Sequence, residues 1–293
     1  SDVHGNHTTG IVGGDLVITR TRIRNNTGGA LHSGSPTFIT ESTISGNTAA
    51  TDAGILIGNP PWGNAVISRS TISHNVAASA AGSGGLGVWS GADIDDSTFV
   101  GNLPVAVRGY QWDPGGLDTV VIRSSTLIGN AGPSTLVMDP PGPFSHGQVP
   151  VSATIENTIL AGGFDGRINV NGKAVIVPDP ADCGGLPSTG PGPVLCATKA
   201  ELNLGKLGPH GGPTWTVPLK APSVAIDAAA ACTSATDQRG VARPFGAACD
   251  IGAFEWDGTA PGAGPALPWL GVAALFAALC LAGLWSLRGR RPA

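Results

Sequence analysis

Charged side chains make up only 12% of this 293-residue chain, and aromatic ones only 5%. Disorder pairs low hydrophobicity with high net charge. Here 41% of residues are hydrophobic and they are spread along the chain, so a core can form. Ala-, Leu- and Glu-rich stretches at helical spacing are missing before residue 266, which excludes a helical body. A basic face is missing as well. Arg288, Arg290 and Arg291 hold three of the 16 basic groups, so residues 1–287 carry 13 basic against 20 acidic side chains, a net of −7. Phosphate contact needs a basic surface, so nucleic acid is not an expected partner. There is no CxxC and no His at ligand spacing, and neither a metal nor a cofactor is expected.

Five cysteines are present, at Cys183, Cys196, Cys232, Cys249 and Cys280. The first four fall in one stretch, which points to disulfides and an oxidising, extracytoplasmic compartment. Cys183–Cys196 with Cys232–Cys249 is the simplest of three pairings. Cys280 lies inside an apolar tail. No signal peptide is visible, and Ser1 opens in mid-pattern, so an N-terminally incomplete sequence is expected.

What the chain does have is Thr, Ser, Val, Ile, Gly and Asn, the vocabulary of short strands and tight turns. These residues recur in order. Ser42-Thr43-Ile44-Ser45-Gly46-Asn47 returns at Ser70–Asn75, Ser97–Asn102 and Ser125–Asn130, with weaker copies at Thr21–Asn26 and Ser1–Asn6. A seventh, degenerate copy is Asn157-Thr158-Ile159-Leu160-Ala161-Gly162. The asparagines Asn6, Asn26, Asn47, Asn75, Asn102 and Asn130 are spaced 20, 21, 28, 27 and 28 residues apart. Each copy follows a second apolar alternation such as Ala65-Val66-Ile67, and several are followed by a Gly-apolar step such as Gly54-Ile55. One period is thus three short strands and three turns, one coil of a right-handed parallel β-helix. Six or seven coils at the inter-strand spacing would make a rod roughly 30 Å long. The asparagines would form a hydrogen-bonded ladder, each at a turn that takes up left-handed backbone.

The repeat fades after residue 163, and residues 164–257 read as a disulfide-containing capping module over the end of the stack. Within it stand Leu204-Gly205-Lys206-Leu207-Gly208-Pro209-His210-Gly211-Gly212-Pro213-Thr214, then Ala225-Ile226-Asp227-Ala228. Asp237-Gln238-Arg239-Gly240, Arg243-Pro244 and Cys249-Asp250-Ile251-Gly252-Ala253-Phe254-Glu255 follow. These ordered strings, over about residues 203–256, resemble the choice-of-anchor Q domain family of bacterial surface proteins. The resemblance implies a β-helix body, a location at the cell envelope and a C-terminal anchor, with no catalytic residues. Ala229 departs from the family, which places Gly after the Ile-Asp-Ala string. Asp237, Arg239, Arg243, Asp250 and Glu255 are expected to form ion pairs that fix the module; they lack the loop spacing of a Ca²⁺ site.

Residues 258–265 form a small-residue linker. Residues 266–287 contain no charged side chain, with Trp269 and Trp285 near the two ends. That length spans a bilayer as one helix, and the basic residues of 288–293 place the C-terminus in the cytoplasm with the body outside. The tail is similar to bacterial C-terminal sorting segments of the PEP-CTERM and IPTL-CTERM kind, which implies a membrane peptidase as a partner.

Candidate chemistry is thin. Parallel β-helices include pectate lyases and polygalacturonases, so Asp93, Asp95 and Asp96 are the fallback catalytic carboxylates of a polysaccharide-active enzyme. Asp93 and Asp95 share a strand face, while Arg69, Asp96 and Arg123 are expected to stack as a cross-coil ion-pair ladder. Trp62, Trp89 and Trp112 near turn insertions are candidates for a sugar-binding platform on a surface or environmental polysaccharide, or for packing a loop on the rod. The reading favoured is a non-catalytic, surface-anchored scaffold, adhesin or glycan-binding protein; the alternative, an enzyme, rests on fold analogy alone.

Overall fold

A computed structural model describes residues 1–58, 64–110, 119–130, 132, 134–138, 152–171, 174–177 and 194–258. All lie in the compact unit Ser1–Pro261. The chain is all-β. Its strands form three long parallel sheets and one two-stranded sheet, and as far as Ala174–Val177 consecutive strands belong to different sheets, so the chain returns to each long sheet once per repeat. The first sheet takes Asp2–His4, Arg22–Arg24, Thr43–Ser45, Thr71–Ser73, Thr98–Val100, Thr126–Ile128, Thr158–Ala161, Ala174–Val177 and Val194–Cys196 in that order. The second runs from Ile11–Gly13 to Phe164–Asp165, and the third from Leu16–Thr19 to Arg167–Val170. Strands beyond residue 163 still join the sheets, so the repeat extends past its expected boundary. Among the described residues the first sheet has nine strands rather than six or seven.

The alternation seen in the sequence sets which side chains turn inward. Ile23, Ile44, Ile72, Phe99 and Leu127 stack in the first sheet, in register. Ile39, Ile67, Ile94, Ile122 and Ile155 do the same in the third. All are fully buried. Each such side chain contributes on the order of 2–3 kcal/mol over its exposed state. Where the second sheet begins the coils press together: a Cβ on Gly54 would lie 2.2 Å from the Gly85 carbonyl, so only glycine fits.

The turn before the first sheet has a fixed form. Arg20, Glu41, Arg69, Asp96, Ser124 and Asn157 all have φ between 43° and 49°, left-handed backbone. The next residue is a Ser or Thr that ties successive coils together. Ser70 Oγ donates to the Ser68 carbonyl at 2.8 Å and accepts the Ser42 N–H at 3.1 Å. Ser42, Ser97, Ser125 and Thr158 repeat this arrangement. This hydroxyl ladder is what the Ser of each Ser-Thr-Ile string is for.

The asparagines make a second ladder. Asn47 Nδ2 donates to Asn75 Oδ1 at 2.8 Å, and the Asn47 N–H donates to the same oxygen at 3.0 Å. The pattern runs from Asn6 through Asn26, Asn47, Asn75 and Asn102 to Asn130. The left-handed residue at this turn is not the ladder Asn but the one before it: Gly5, Asn25, Gly46, His74, Gly101 and Gly129. That corrects the sequence expectation. The ladder Asn needs its side chain aligned along the stack, and the preceding residue takes the bend instead.

Residues 197–258 hold little regular structure. A one-turn helix, Lys199–Leu202, is capped by Thr198 and Glu201 in a reciprocal box. Leu202, Leu219, Ala225, Ile251 and Phe254 form a separate small core with Ile159. Cys232 and Cys249 are disulfide-bonded. Cys196 is also disulfide-bonded, while Cys183 and Cys280 lie outside the described residues. So does the expected membrane span 266–287; no helix among the described residues is long and apolar enough to cross a membrane.

Candidate functional site

Of the closing module, Val194–Cys196 adds the last strand of the first sheet, and residues 197–258 pack beside the stack. These residues lie along the outer face of the first sheet, with contacts from the Arg69 coil to the Asn157 coil. One outward row of that sheet reads Asp2, Arg22, Thr43, Thr71, Thr98, Thr126 and Ile159 in register. The first two are exposed and Thr43 is half-buried, whereas Thr71, Thr98, Thr126 and Ile159 are buried. The module's edge therefore falls between Thr43 and Thr71. Its contacts are polar where the row is threonine: Thr71 Oγ1 donates to the Trp215 carbonyl at 2.5 Å, and Thr126 Oγ1 accepts the Ala253 N–H at 2.9 Å. They become apolar at Ile159, which joins the module's own core. The seventh repeat copy slips by one residue to allow this. Thr126 pairs with Ile159 and Leu127 with Leu160, so Leu160 points inward and Ile159 outward.

Gln238 is the hub. It is fully buried. Its Nε2 donates to the Ser70 carbonyl at 3.1 Å and to Thr214 Oγ1 at 2.9 Å, while its Oε1 accepts the Thr98 hydroxyl at 2.6 Å. Around it stand the expected ion pairs. Arg239 pairs with Asp237 at 2.8 Å and lies over the Phe254 ring at 3.5 Å; Arg243 pairs with Glu255 at 2.9 Å. Asp250 departs from the expectation. Its carboxylate accepts backbone N–H groups of Asp227 and Trp256, and Arg243 reaches only its carbonyl. Burial pushes the Asp250 carboxyl up to about 6, against the pull of those two N–H groups.

The three fallback carboxylates separate. Asp93 and Asp95 share the outer face of the third sheet, and Arg123 Nη1 lies 3.2 Å from each. Burial raises the Asp95 carboxyl, with Arg123 pulling the other way. Asp96 instead turns toward the module, where it accepts Ser234 Oγ at 3.0 Å and faces Arg243 at 3.4 Å. Burial pushes Asp96 up to about 6, more than Arg243 and Ser234 lower it. The expected Arg69–Asp96–Arg123 stack does not form. Arg123 is in register with Asp95, because Ser124, not Arg123, takes the left-handed turn position. The ion-pair ladder at that turn is Arg20–Glu41–Arg69, with distances of 2.6 and 2.8 Å.

Trp62 and Trp112 lie outside the described residues. Trp89 is half-buried and stacks on Tyr110, ring centroids 4.6 Å apart; the Tyr110 hydroxyl donates to Asp52 Oδ1 at 2.7 Å. Asp52 also accepts from the Ser83 hydroxyl. Trp89 thus belongs to a packed loop cluster on the second sheet. No group of three or more His, Cys, Asp or Glu among the described residues is arranged to hold a metal ion.

A groove the sequence reading missed opens where the module ends. Its lining includes Asp2, Arg20, Arg22, Glu41, Thr43 and, from the module, Pro213, around about 570 Å³. Trp215, whose carbonyl accepts the Thr71 hydroxyl, is 54% exposed. The sequence signal was the change in the outward row from Asp and Arg to Thr, which marks where cover begins.

Searches against family models, curated proteins and solved structures return no match to this chain.

Proposed function

We propose that the chain is a right-handed parallel β-helix serving as a non-catalytic scaffold or adhesin at a bacterial cell surface, with a glycan as its class of ligand. The observation that carries this reading is the commitment of the candidate carboxylates to arginines. Asp93 and Asp95 close on Arg123, and Asp96 fastens the module through Arg243 and Ser234. An acid and a base for glycoside cleavage need one carboxyl free to hold a proton and another to accept one at a bond between them. Here the charges are used to join coils and to clasp the module. The strings at 203–256 support membership of the choice-of-anchor Q family, and the uncharged stretch 266–287 with its arginines supports a membrane anchor processed by a sorting peptidase. The alternative is a polysaccharide lyase or hydrolase built on the third-sheet face. The test is a glycan array run beside a degradation assay on the full chain in detergent. Retention of glycans without new reducing or unsaturated ends is the expected result, and turnover lost in Asp93→Asn or Asp95→Asn would overturn it.

A further inference from the structure

We infer that the closing module touches the bilayer through the surface around its chain exit, with Trp215 in the headgroup region and Lys206 and Lys220 toward anionic headgroups. This rests on the reading of residues 266–287 as a membrane anchor.

The place of the exit is the first argument. Gly258 is the last described residue, and the residue before it is tied down: Arg239 Nη1 lies 3.5 Å from the Asp257 carboxylate. The same nitrogen donates to the His210 carbonyl at 3.4 Å, and a Cβ on Gly212 would fall 2.7 Å from Arg239 Cα. The stretch 210–212 therefore packs on the residue that holds the exit. Trp215 follows closely, and its carbonyl accepts Gln238 Nε2 at 3.2 Å, next to Arg239 in the chain. Only Thr259-Ala260-Pro261-Gly262-Ala263-Gly264-Pro265 separates Gly258 from Ala266, without a charged side chain. So short a stretch spans at most about 30 Å. An anchor starting at Ala266 thus keeps the exit within that reach of the hydrocarbon.

The second argument is what the exit surface carries. Trp215 is more than half exposed, and Pro209 and Pro213 are exposed beside it in the chain. The flanking segments pair antiparallel through Leu204–Leu219 and Gly208–Thr216, and His210 Nε2 bonds the Lys206 carbonyl at 3.1 Å. A Cβ on Gly205 would lie 3.2 Å from Lys220 Cε, so the Lys220 side chain runs past the residue before Lys206. Both lysines are exposed. Among the described residues every lysine belongs to this module, at Lys199, Lys206 and Lys220, while the coils carry only arginine. Of the neighbouring carboxylates, Asp237 and Glu255 are buried and Asp257 is paired with Arg239. An indole ring favours the membrane–water interface, and an ammonium group is drawn to anionic headgroups. One tryptophan and two lysines hold a free protein to a bilayer weakly. A short tether makes the contact intramolecular, and weak groups then suffice.

The test uses the full chain in nanodiscs of phosphatidylcholine alone or mixed with phosphatidylglycerol. Trp215 is read as the emission that Trp215→Phe removes, and the melting curve of that variant should match wild type because the ring is exposed. With phosphatidylglycerol present, this emission should be quenched by lipids brominated near the headgroup end of the chain and shielded from aqueous iodide. Lys206→Glu with Lys220→Glu should weaken the contact about tenfold or more and restore access to iodide. A flexible Gly-Ser insertion of about 40 residues after Gly258 should weaken it several-fold by dilution. Trp269 and Trp285, read in the same way, report on the anchor. If their emission is quenched by the brominated lipid while that of Trp215 stays open to iodide, the contact is overturned and the anchor stands. If none of the three is quenched, the anchor reading itself falls. Equal quenching of Trp215 on phosphatidylcholine alone overturns the part given to the lysines.

Discussion

Gln238 accepts the hydroxyl of Thr98 at 2.6 Å across 140 residues of sequence, and that bond pins the closing module to the middle of the first sheet. The same amide donates to Ser70, Thr71 and Thr214. Gln238→Leu fills much of the volume but leaves the Thr98 hydroxyl buried without its partner, while the Ser70 carbonyl keeps the Thr98 N–H. A cost of about 2 kcal/mol is expected from orphaning that hydroxyl and losing the other amide bonds. Chemical denaturation should report the loss, and hydrogen exchange should localise it to the module while amides at Ile72 and Ile94 stay protected.

The asparagine ladder gives a graded expectation. Asn75 bonds on both sides: it accepts from Asn47, donates to Asn102, and reaches the Ile44 carbonyl at 3.1 Å. Asn6 donates to Asn26 and is exposed. Asn75→Ala should cost about 3 kcal/mol and Asn6→Ala under about 1 kcal/mol, since only the first strands buried groups. Equal costs in denaturant melts would refute a cooperative interior ladder.

The ladders show how far the sequence could be read. Asn and Ser-Thr-Ile recur at a countable period, so the coil and its inward row follow from side-chain alternation. Register is harder. Ser124-Ser125 offers two serines for one position, and the wrong count moves Arg123 from the Asp95 row to the Asp96 row. Thr158 takes the serine position of the hydroxyl ladder, so matching Asn157-Thr158-Ile159 to the Ser-Thr-Ile string reads the seventh copy one residue out of register. The module's seat was invisible for another reason. Bonds such as Thr98–Gln238 and Thr126–Ala253 join residues more than 120 apart, and no local pattern encodes them. The groove beside Arg22 takes one wall, Pro213, from that module, and no local pattern encodes this approach.

Acidity should stabilise the module. Asp96 titrates at about 6 in the folded chain, raised by burial, against about 3.8 in an open one. The folded state therefore binds the proton more readily between those values, and stability falls as pH rises from about 4 to about 6, then levels. Between pH 5 and pH 7.5 Asp96 should contribute a loss of about 1 kcal/mol. Asp250, also near 6, acts with the same sign. Melting temperature should be higher at pH 5 than at pH 7.5, and Asp96→Asn should flatten the slope. A slope of opposite sign in the difference between wild type and Asp96→Asn would contradict the assignment.

The Cys232–Cys249 disulfide holds a strap that runs along the left-handed turns. The Ala231 carbonyl accepts Asn157 Nδ2 at 2.7 Å, Thr233 Oγ1 bonds the Ser124 hydroxyl, and Ser234 Oγ donates to Asp96. Three successive coils are thus crossed within four residues, with Cys232 between the contacts. The bond closes a loop of sequence separation 17, for which chain entropy alone gives about 3 kcal/mol. The double variant Cys232→Ser, Cys249→Ser should lose about that much stability. Its effect should be local: the amides of Ala229 and Ile251, which donate to the carbonyls of Cys249 and Ala225, should exchange faster, while the Asn ladder amides keep their protection. Loss of protection across the whole sheet would mean instead that the module and the coils unfold as one unit, with the strap as their common fastening.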